Sequence, residues 1–409
     1  MRNASRWIGA MVMCLILVSM TCAFAQDWPQ WRGANRDGKV TGFTAPQSWP
    51  KELTQKWKVT VGTGDATPAL VGDKLYVFAR QGDDEVTLCL DAASGKELWQ
   101  NKYASQPVAG PASRHPGPRS SPTVAEGKIV TLGVNGTLSC LDAATGKELW
   151  RKDEFPNVVP QFFTAMSPII DNGTCIAHLG GKDNGAVMAF DLASGNVKWK
   201  WAGDGPAYAS PVLMTVEGTK QVVVQTEKNL VGVTVADGKL LWQIPAAPQA
   251  RFYNSATPIV DGQTVIYTGQ GQGTKAVKVE KQNSGFVTKE LWSNTQLGTG
   301  FNTPVLKDGL LYGLSDKGSL FCLNAQTGQA AWTDTATRKE NFGALLDAGS
   351  VIFALPSDSQ LVVFKPGDKE YTEVARFKAA DTPTYAHPVI AGNRIFVRDQ
   401  ENVALWTIP

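Results

Sequence analysis

The chain has 409 residues, 43% of them hydrophobic and 19% charged, with 40 Gly, 23 Pro and 13 Trp. That is too apolar and too rich in Trp for a disordered chain, and long enough for a large core. Residues 1–25 hold two basic residues and no acidic one; without them the 39 Lys and Arg become 37, equal to the 37 Asp and Glu. A nucleic-acid binder needs a basic excess or stripe, so nucleic acid is excluded as an expected partner.

From the N-terminus, Arg2 and Arg6 precede an apolar stretch, Ile8 to Met20, and Ala23-Phe24-Ala25 supplies small residues two apart. This predicts a secretory signal peptide over residues 1–25, cleaved after Ala25. The apolar run is short of the roughly 20 residues that span a bilayer, and no later stretch suits a transmembrane segment. Ser19-Met20-Thr21 is a poor lipobox, so lipid anchoring at Cys22 is disfavoured. A periplasmic or cell-envelope location is expected. Cleavage would leave Cys89, Cys140, Cys175 and Cys322. Residues 26–52 form an expected N-terminal segment, with Trp28 and Trp31 stapling it to a main body over 53–409.

Within that body one phrase recurs. It reads LDAASGKELW to Trp99 and LDAATGKELW to Trp150, with looser copies ending at Trp199, Trp242 and Trp332. A copy with an insertion ends at Trp292, and Trp57 and Phe377 hold the same place in degenerate ones. A second marker precedes each phrase: Thr67-Pro68, Ser121-Pro122, Ser167-Pro168, Ser210-Pro211, Thr257-Pro258 and Thr303-Pro304, with variants Phe342-Gly343 and His387-Pro388. Two markers of one period, about 45 residues, define a repeat.

Each unit reads as four short strands. In the second, SPTVAEG, KIVTLGV, LSCLDA and KELW are separated by Glu126-Gly127, Asn135-Gly136 and Thr145-Gly146. Asn-Gly supplies the positive φ of a tight hairpin, and in D-A-x-[ST]-G the Asp can bond the turn while Gly takes the left-handed position. Gln270-Gly271-Gln272-Gly273 reads as another hairpin turn rather than a phosphate cradle. Four-stranded units at this period predict an all-β, eight-bladed β-propeller, a ring that protects its sheet edges. The last unit lacks a fourth strand and the stretch around Trp57 lacks a unit, so the N-terminal strand should complete the eighth blade. Seven blades is the competing count, because the unit over residues 343–377 is degenerate.

The phrase resembles the docking repeat of the pyrroloquinoline-quinone (PQQ) family of eight-bladed propellers, roughly A-x-D-x-x-T-G-x-x-x-W. The resemblance implies that Trp57, Trp99, Trp150, Trp199, Trp242, Trp292 and Trp332 dock neighbouring blades against the small residue opening the motif. Here that residue is Cys89, Cys140, Ala189, Gly232 or Cys322, so these Cys are expected as free thiols behaving as small hydrophobes; Cys175, in an apolar strand, reads the same way. The segment from Asp27 to Gly38 also resembles the opening of exported bacterial propellers of this kind. Dehydrogenases of the family hold PQQ over Ca²⁺, many against a disulfide between adjacent Cys, and this chain has no adjacent pair. It has no D-x-[DN]-x-[DN]-G loop, no H-E-x-x-H, no C-x-x-C and no G-x-S-x-G. No catalytic residue, metal ligand or cofactor is therefore assigned.

The segments before the Pro markers link the outer strand of one blade to the inner strand of the next, so they should crowd one mouth of the central channel. They carry Phe162, Phe163, Tyr208, Phe252, Tyr253, Phe301, Phe342 and Tyr385, with Asp65, Arg114, His115, Arg119, Arg251, Asn254 and Asn302 between them and His387 after. Aromatic and Arg enrichment marks binding surfaces, and loops on rigid scaffolds carry function. Arg119 and Arg251 are expected to meet an anionic group; either could instead bridge Asp65. The bland alternative is that the rings only plug the tunnel. The chain is similar to BamB-like outer-membrane assembly propellers, so the expected function is an exported, non-catalytic, monomeric module that binds a protein partner. The competing classes are a PQQ- and Ca²⁺-dependent dehydrogenase and a carbohydrate binder.

Overall fold

A computed structural model describes residues 27–249, 252–283, 285–336, 338 and 341–408. The expected signal peptide, Cys22 and Arg251 lie outside them. The described strands form eight four-stranded antiparallel sheets, and a single short 3₁₀ helix, Gly110–Arg114, stands among them. Blades one to seven occupy residues 69–104, 123–152, 169–201, 212–245, 259–294, 305–333 and 343–378, each an up-and-down run of four consecutive strands. Blade eight takes three strands from residues 389–407 and its outer strand from Thr54–Thr60, which pairs antiparallel with Asn402–Thr407. The structure is an eight-bladed propeller closed by its N-terminal strand, and the degenerate unit is a full blade.

The Trp side chains explain the repeat. In each of the first six blades the Trp is the cross-strand partner of the small residue: Cys89 with Trp99, Cys140 with Trp150, Ala189 with Trp199, Gly232 with Trp242, Ala276 with Trp292 and Cys322 with Trp332. A β-bulge follows that pair each time; such a bulge bends and twists the outer strand. The indole then lies against the next blade's turn, on the Gly of D-x-x-[ST]-G. A Cβ added to Gly146 would stand 2.4 Å from Trp99, and equivalents on Gly195, Gly238 and Gly328 would stand 2.7, 2.4 and 2.4 Å from Trp150, Trp199 and Trp292. The turn Asp stays close to the chain: Asp91 Oδ1 accepts from the Ser94 N–H at 2.8 Å and hydroxyl at 2.6 Å, which holds the carboxyl below its usual range.

Indole N–H groups complete the dock by donating to carbonyls three residues before those glycines, Trp150 to Leu192 at 3.0 Å, Trp199 to Val235 at 2.8 Å and Trp292 to Ala325 at 2.8 Å. Two departures have local causes. The carbonyl awaiting Trp99, that of Ala143, is taken by the Tyr76 hydroxyl at 3.1 Å, and the Trp99 N–H has no partner. Blade five replaces the turn by a long hairpin, Gly273–Gln282 with Gly285–Asn294; Trp242 donates instead to Gln221 Oε1 of its own blade, at 2.7 Å.

The Ser/Thr-Pro marker has a purpose that spacing does not reveal. The N–H of each marker residue donates to the hydroxyl of the next blade's marker: Thr67 to Ser121, Ser121 to Ser167, Ser167 to Ser210, Ser210 to Thr257 and Thr257 to Thr303, at 2.9–3.1 Å. His387 N–H donates to Thr67 across the join of the chain's two ends, at 2.9 Å. These six links form a belt of hydroxyls around the channel. The blade with Gly343, which has no hydroxyl to offer, interrupts it.

Cys89, Cys140, Cys175 and Cys322 are buried and unpaired. Burial pushes the first, second and last up to about 12 and raises Cys175 as well. Because the thiolate is the reactive form, a chain starting at Gln26 should consume no Ellman's reagent at pH 8 when native and four equivalents in denaturant. Gly146→Ala should cost about 2–4 kcal/mol, since a Cβ meets both the indole and a left-handed φ of +73°. Gly127→Ala, at φ +70° with open space around it, should cost only about 1 kcal/mol. Urea midpoints of the two variants check this.

Candidate functional site

The N-terminal segment, residues 27–53, which precedes the strand Thr54–Thr60, crosses the channel at the rim opposite the loops. Trp28, fully buried, pairs with Leu70 of blade one, the Val124 N–H of blade two donates to Pro29, and the Val40 N–H donates to Asp347 of blade seven. Two arginines from this segment pin the inner strands. Arg32 donates to the carbonyls of Thr303 and Pro304 at 2.8 Å, and Arg36 to those of Ser167 and Pro211 at 3.0 Å and of Pro168. They are 1% and 4% exposed, and burial lowers their guanidinium pKa values to about 10 and about 9. Trp31 packs edge-on against His387, centroids 5.4 Å apart. Nothing in the sequence singles out Arg32 and Arg36 as pins; their partners lie 131 to 272 residues away.

The other rim is aromatic. Loops entering blades six, seven and eight bring together Phe301, Phe342 and Tyr385, and the loop entering blade two adds His115. Phe301 and Phe342 stack at 4.2 Å and 6°, Tyr385 stands edge-on to Phe342 at 5.3 Å, and His115 meets Tyr385 at 4.7 Å and Phe342 at 6.5 Å. Across the mouth Phe162, Tyr208 and Tyr253 form a second edge-to-face group with centroids 5.0–6.2 Å apart. Phe163 sits beside it at a positive φ of 62° and packs against Val108, Ala112 and Val134. Most of these rings are half-buried, and Phe301 is 36% exposed.

The polar residues divide by what they hold. Asn254 is buried and donates to the carbonyls of Thr226 and Ala246 at 2.9 Å; Asn302 is buried and donates to Leu314 at 2.7 Å. Both Asn side chains are loop fasteners. Arg119 donates to the carbonyls of Phe162 and of His115, the latter at 2.8 Å, and burial lowers its pKa. It bridges no carboxylate; Asp65 is taken by His115, Oδ2 to Nδ1 at 2.7 Å. His387 lies inside the ring, 5% exposed, and faces Trp31 rather than the mouth. Arg114, at the end of the 3₁₀ helix, is exposed. The residues left for an incoming molecule are thus the rings, His115 and Arg114.

A calcium-held quinone requires convergent oxygen ligands. Among the described residues no group of three or more His, Cys, Asp or Glu is arranged to hold a metal. The mouth's Asp65 is engaged by His115, so the residues that meet there do not fit such a group.

The chain matches the family described as outer membrane protein assembly factor BamB, over residues 36–200 and 83–334. It belongs to that family. BamB of Burkholderia pseudomallei is 25% identical over 367 residues, covering 86% of each chain. The crystal structure of BamB from Moraxella catarrhalis superimposes with a TM-score of 0.64 at 16% identity, covering 87% of this chain and 97% of that one. Quinohemoprotein alcohol dehydrogenase from Comamonas testosteroni superimposes with a TM-score of 0.70, also at 16% identity, covering 94% and 81%. At such identity the dehydrogenase shares the fold alone. No described helix is long and apolar enough to cross a membrane.

Two of the three histidines set an acid limit. Burial lowers His178 to about 4 and His387 to about 3, from an ordinary 6.5. Below pH 6.5 the unfolded chain binds protons at these sites that the native chain does not. Each histidine's contribution is therefore complete above pH 6.5 and declines as pH falls, by up to about 1.4 kcal/mol per unit. Urea midpoints from pH 7.5 to 4.5 should fall accordingly, and His387→Gln should flatten the slope.

Proposed function

We propose that the chain is an exported, non-catalytic scaffold of the cell envelope that binds a protein partner through the aromatic mouth, as a monomer and without a cofactor. The observation that carries this reading is the division of labour at the mouth. Arg119, Asn254 and Asn302 spend their donors on backbone carbonyls, while the half-exposed rings stand on successive loops of one rigid ring. Such a surface offers contact area held by a stiff frame. Membership of a family described as an outer membrane assembly factor supports both the envelope location and the protein partner. Similarity to the dehydrogenase supports the fold.

A photo-crosslinking residue placed at Phe301 or Tyr253 in the native envelope should capture a partner protein, whereas one at exposed Glu97 on an outer strand should not. Phe301→Ala combined with Tyr253→Ala should weaken capture about tenfold or more while leaving the urea midpoint near that of the parent. Recovery of uncrosslinked monomer at every mouth position would overturn the proposal.

A further inference from the structure

One quadrant of the mouth is chemically unlike the rest. Asp65 Oδ2 holds His115 Nδ1 at 2.7 Å, so the ring's Nε2 points away from the carboxylate, and no described residue bonds to it. The side chain keeps 27% exposure against 14% for Asp65. The adjacent Arg114 is exposed and makes no hydrogen bond or ion pair with any described residue. Around the pair, Arg119 lies on the same loop and donates to the His115 carbonyl. The charge of Asp65 acts on both Arg119 and Arg398, and Tyr385 presents its edge to the imidazole. Arg398 is buried on the carbonyls of Ala66 and Phe78 and also faces Asp399, and Arg119 is spent on backbone, so Arg114 is the exposed cation beside the engaged Asp65–His115 pair. Phe301 and Phe342 are parallel and stacked at 4.2 Å, His115 lies beyond Phe342 at 6.5 Å and 24°, and Phe301 is exposed.

We infer that this quadrant recognises an acidic, aromatic-bearing segment of a protein partner, with the partner's ring extending the stack on Phe301 and its carboxylate taken by Arg114 and His115. The inference rests on the scaffold reading and adds the chemistry of the partner. Stacking on an exposed ring contributes area and orientation. The Arg114 guanidinium supplies charge-assisted donors for a carboxylate, and because Asp65 takes the Nδ1 proton, His115 adds an Nε2–H donor in its doubly protonated form. A basic or purely apolar segment would gain only the stacking.

The protein supplies its own reporter. It has three histidines, and His178 and His387 are buried, so the imidazole signal that moves on adding a surface ligand is that of His115. The mature chain is titrated with a capped pentapeptide carrying Phe between two Asp, and with its Asn-for-Asp and Ala-for-Phe counterparts. The first peptide should shift the His115 resonance and bind at least about tenfold more tightly than either counterpart. Arg114→Glu should abolish the difference between the Asp and Asn peptides, His115→Gln should reduce it by fluorescence anisotropy, and added salt should shrink it. Equal affinity for all three peptides, or an unmoved His115 resonance, would overturn the inference. If crosslinking at Phe301 persists in the Arg114→Glu variant, the scaffold reading stands and carboxylate recognition falls. If the peptides discriminate by charge but no partner is captured, the site stands and the scaffold reading falls.

Discussion

The whole ring hangs on a single repeated contact, the N–H at the head of one inner strand donating to the hydroxyl at the head of the next. Pro follows in the adjacent position, where it fixes φ and removes a donor that would otherwise compete. The hydroxyl can accept from its neighbour because the strand starts, rather than continues, at that point. Six such bonds at 2.9–3.1 Å set the separation of the blades at the channel wall, and the indole docks set it at the periphery. With both radii fixed, the sheet faces between blades bury their aliphatic residues at one spacing, and the loops above inherit a fixed geometry. The loops of the mouth rise from the inner strands that this belt spaces.

Much of this was legible. The Gly of each D-x-x-[ST]-G turn announced a left-handed residue, and the missing strand at the C-terminus announced closure by the N-terminus. The small residue opposite each Trp explained why three of the four Cys lie where they do. These features are local or periodic, so they leave a trace along the chain. What did not leave one is the choice of partner across loops. Spacing permitted Arg119 to bridge Asp65, but His115 lies in the way and takes the carboxylate. Asn254 and Asn302 read as mouth residues by position, yet their side chains turn down to close open backbone. The pins Arg32 and Arg36 have targets on blades three, four and six, which only the folded ring brings within reach.

The same comparison separates what this chain shares with related propellers from what it does with the fold. Blade geometry is common to a BamB and to an alcohol dehydrogenase alike, so it says little about activity. In the mouth of this chain Arg119, Asn254 and Asn302 are assigned to backbone carbonyls, and the rings, His115 and Arg114 are left over. Blade five adds a further asymmetry. Its ten-residue outer strands replace the usual turn and leave Val287 exposed at the flank, 38%.

The pins carry a consequence for synthesis. Arg32 reaches a carbonyl 271 residues later in the chain, and Thr54–Thr60 pairs with Asn402–Thr407. Neither contact can form until the blade that accepts it has been delivered, blade six for Arg32 and blade eight for Thr54–Thr60. Contacts so distant in sequence form late and slowly. The leading end must therefore wait with an unpaired strand edge, a state prone to mispairing, until the trailing end reaches it, and any factor that escorts the nascent chain is needed for that interval above all.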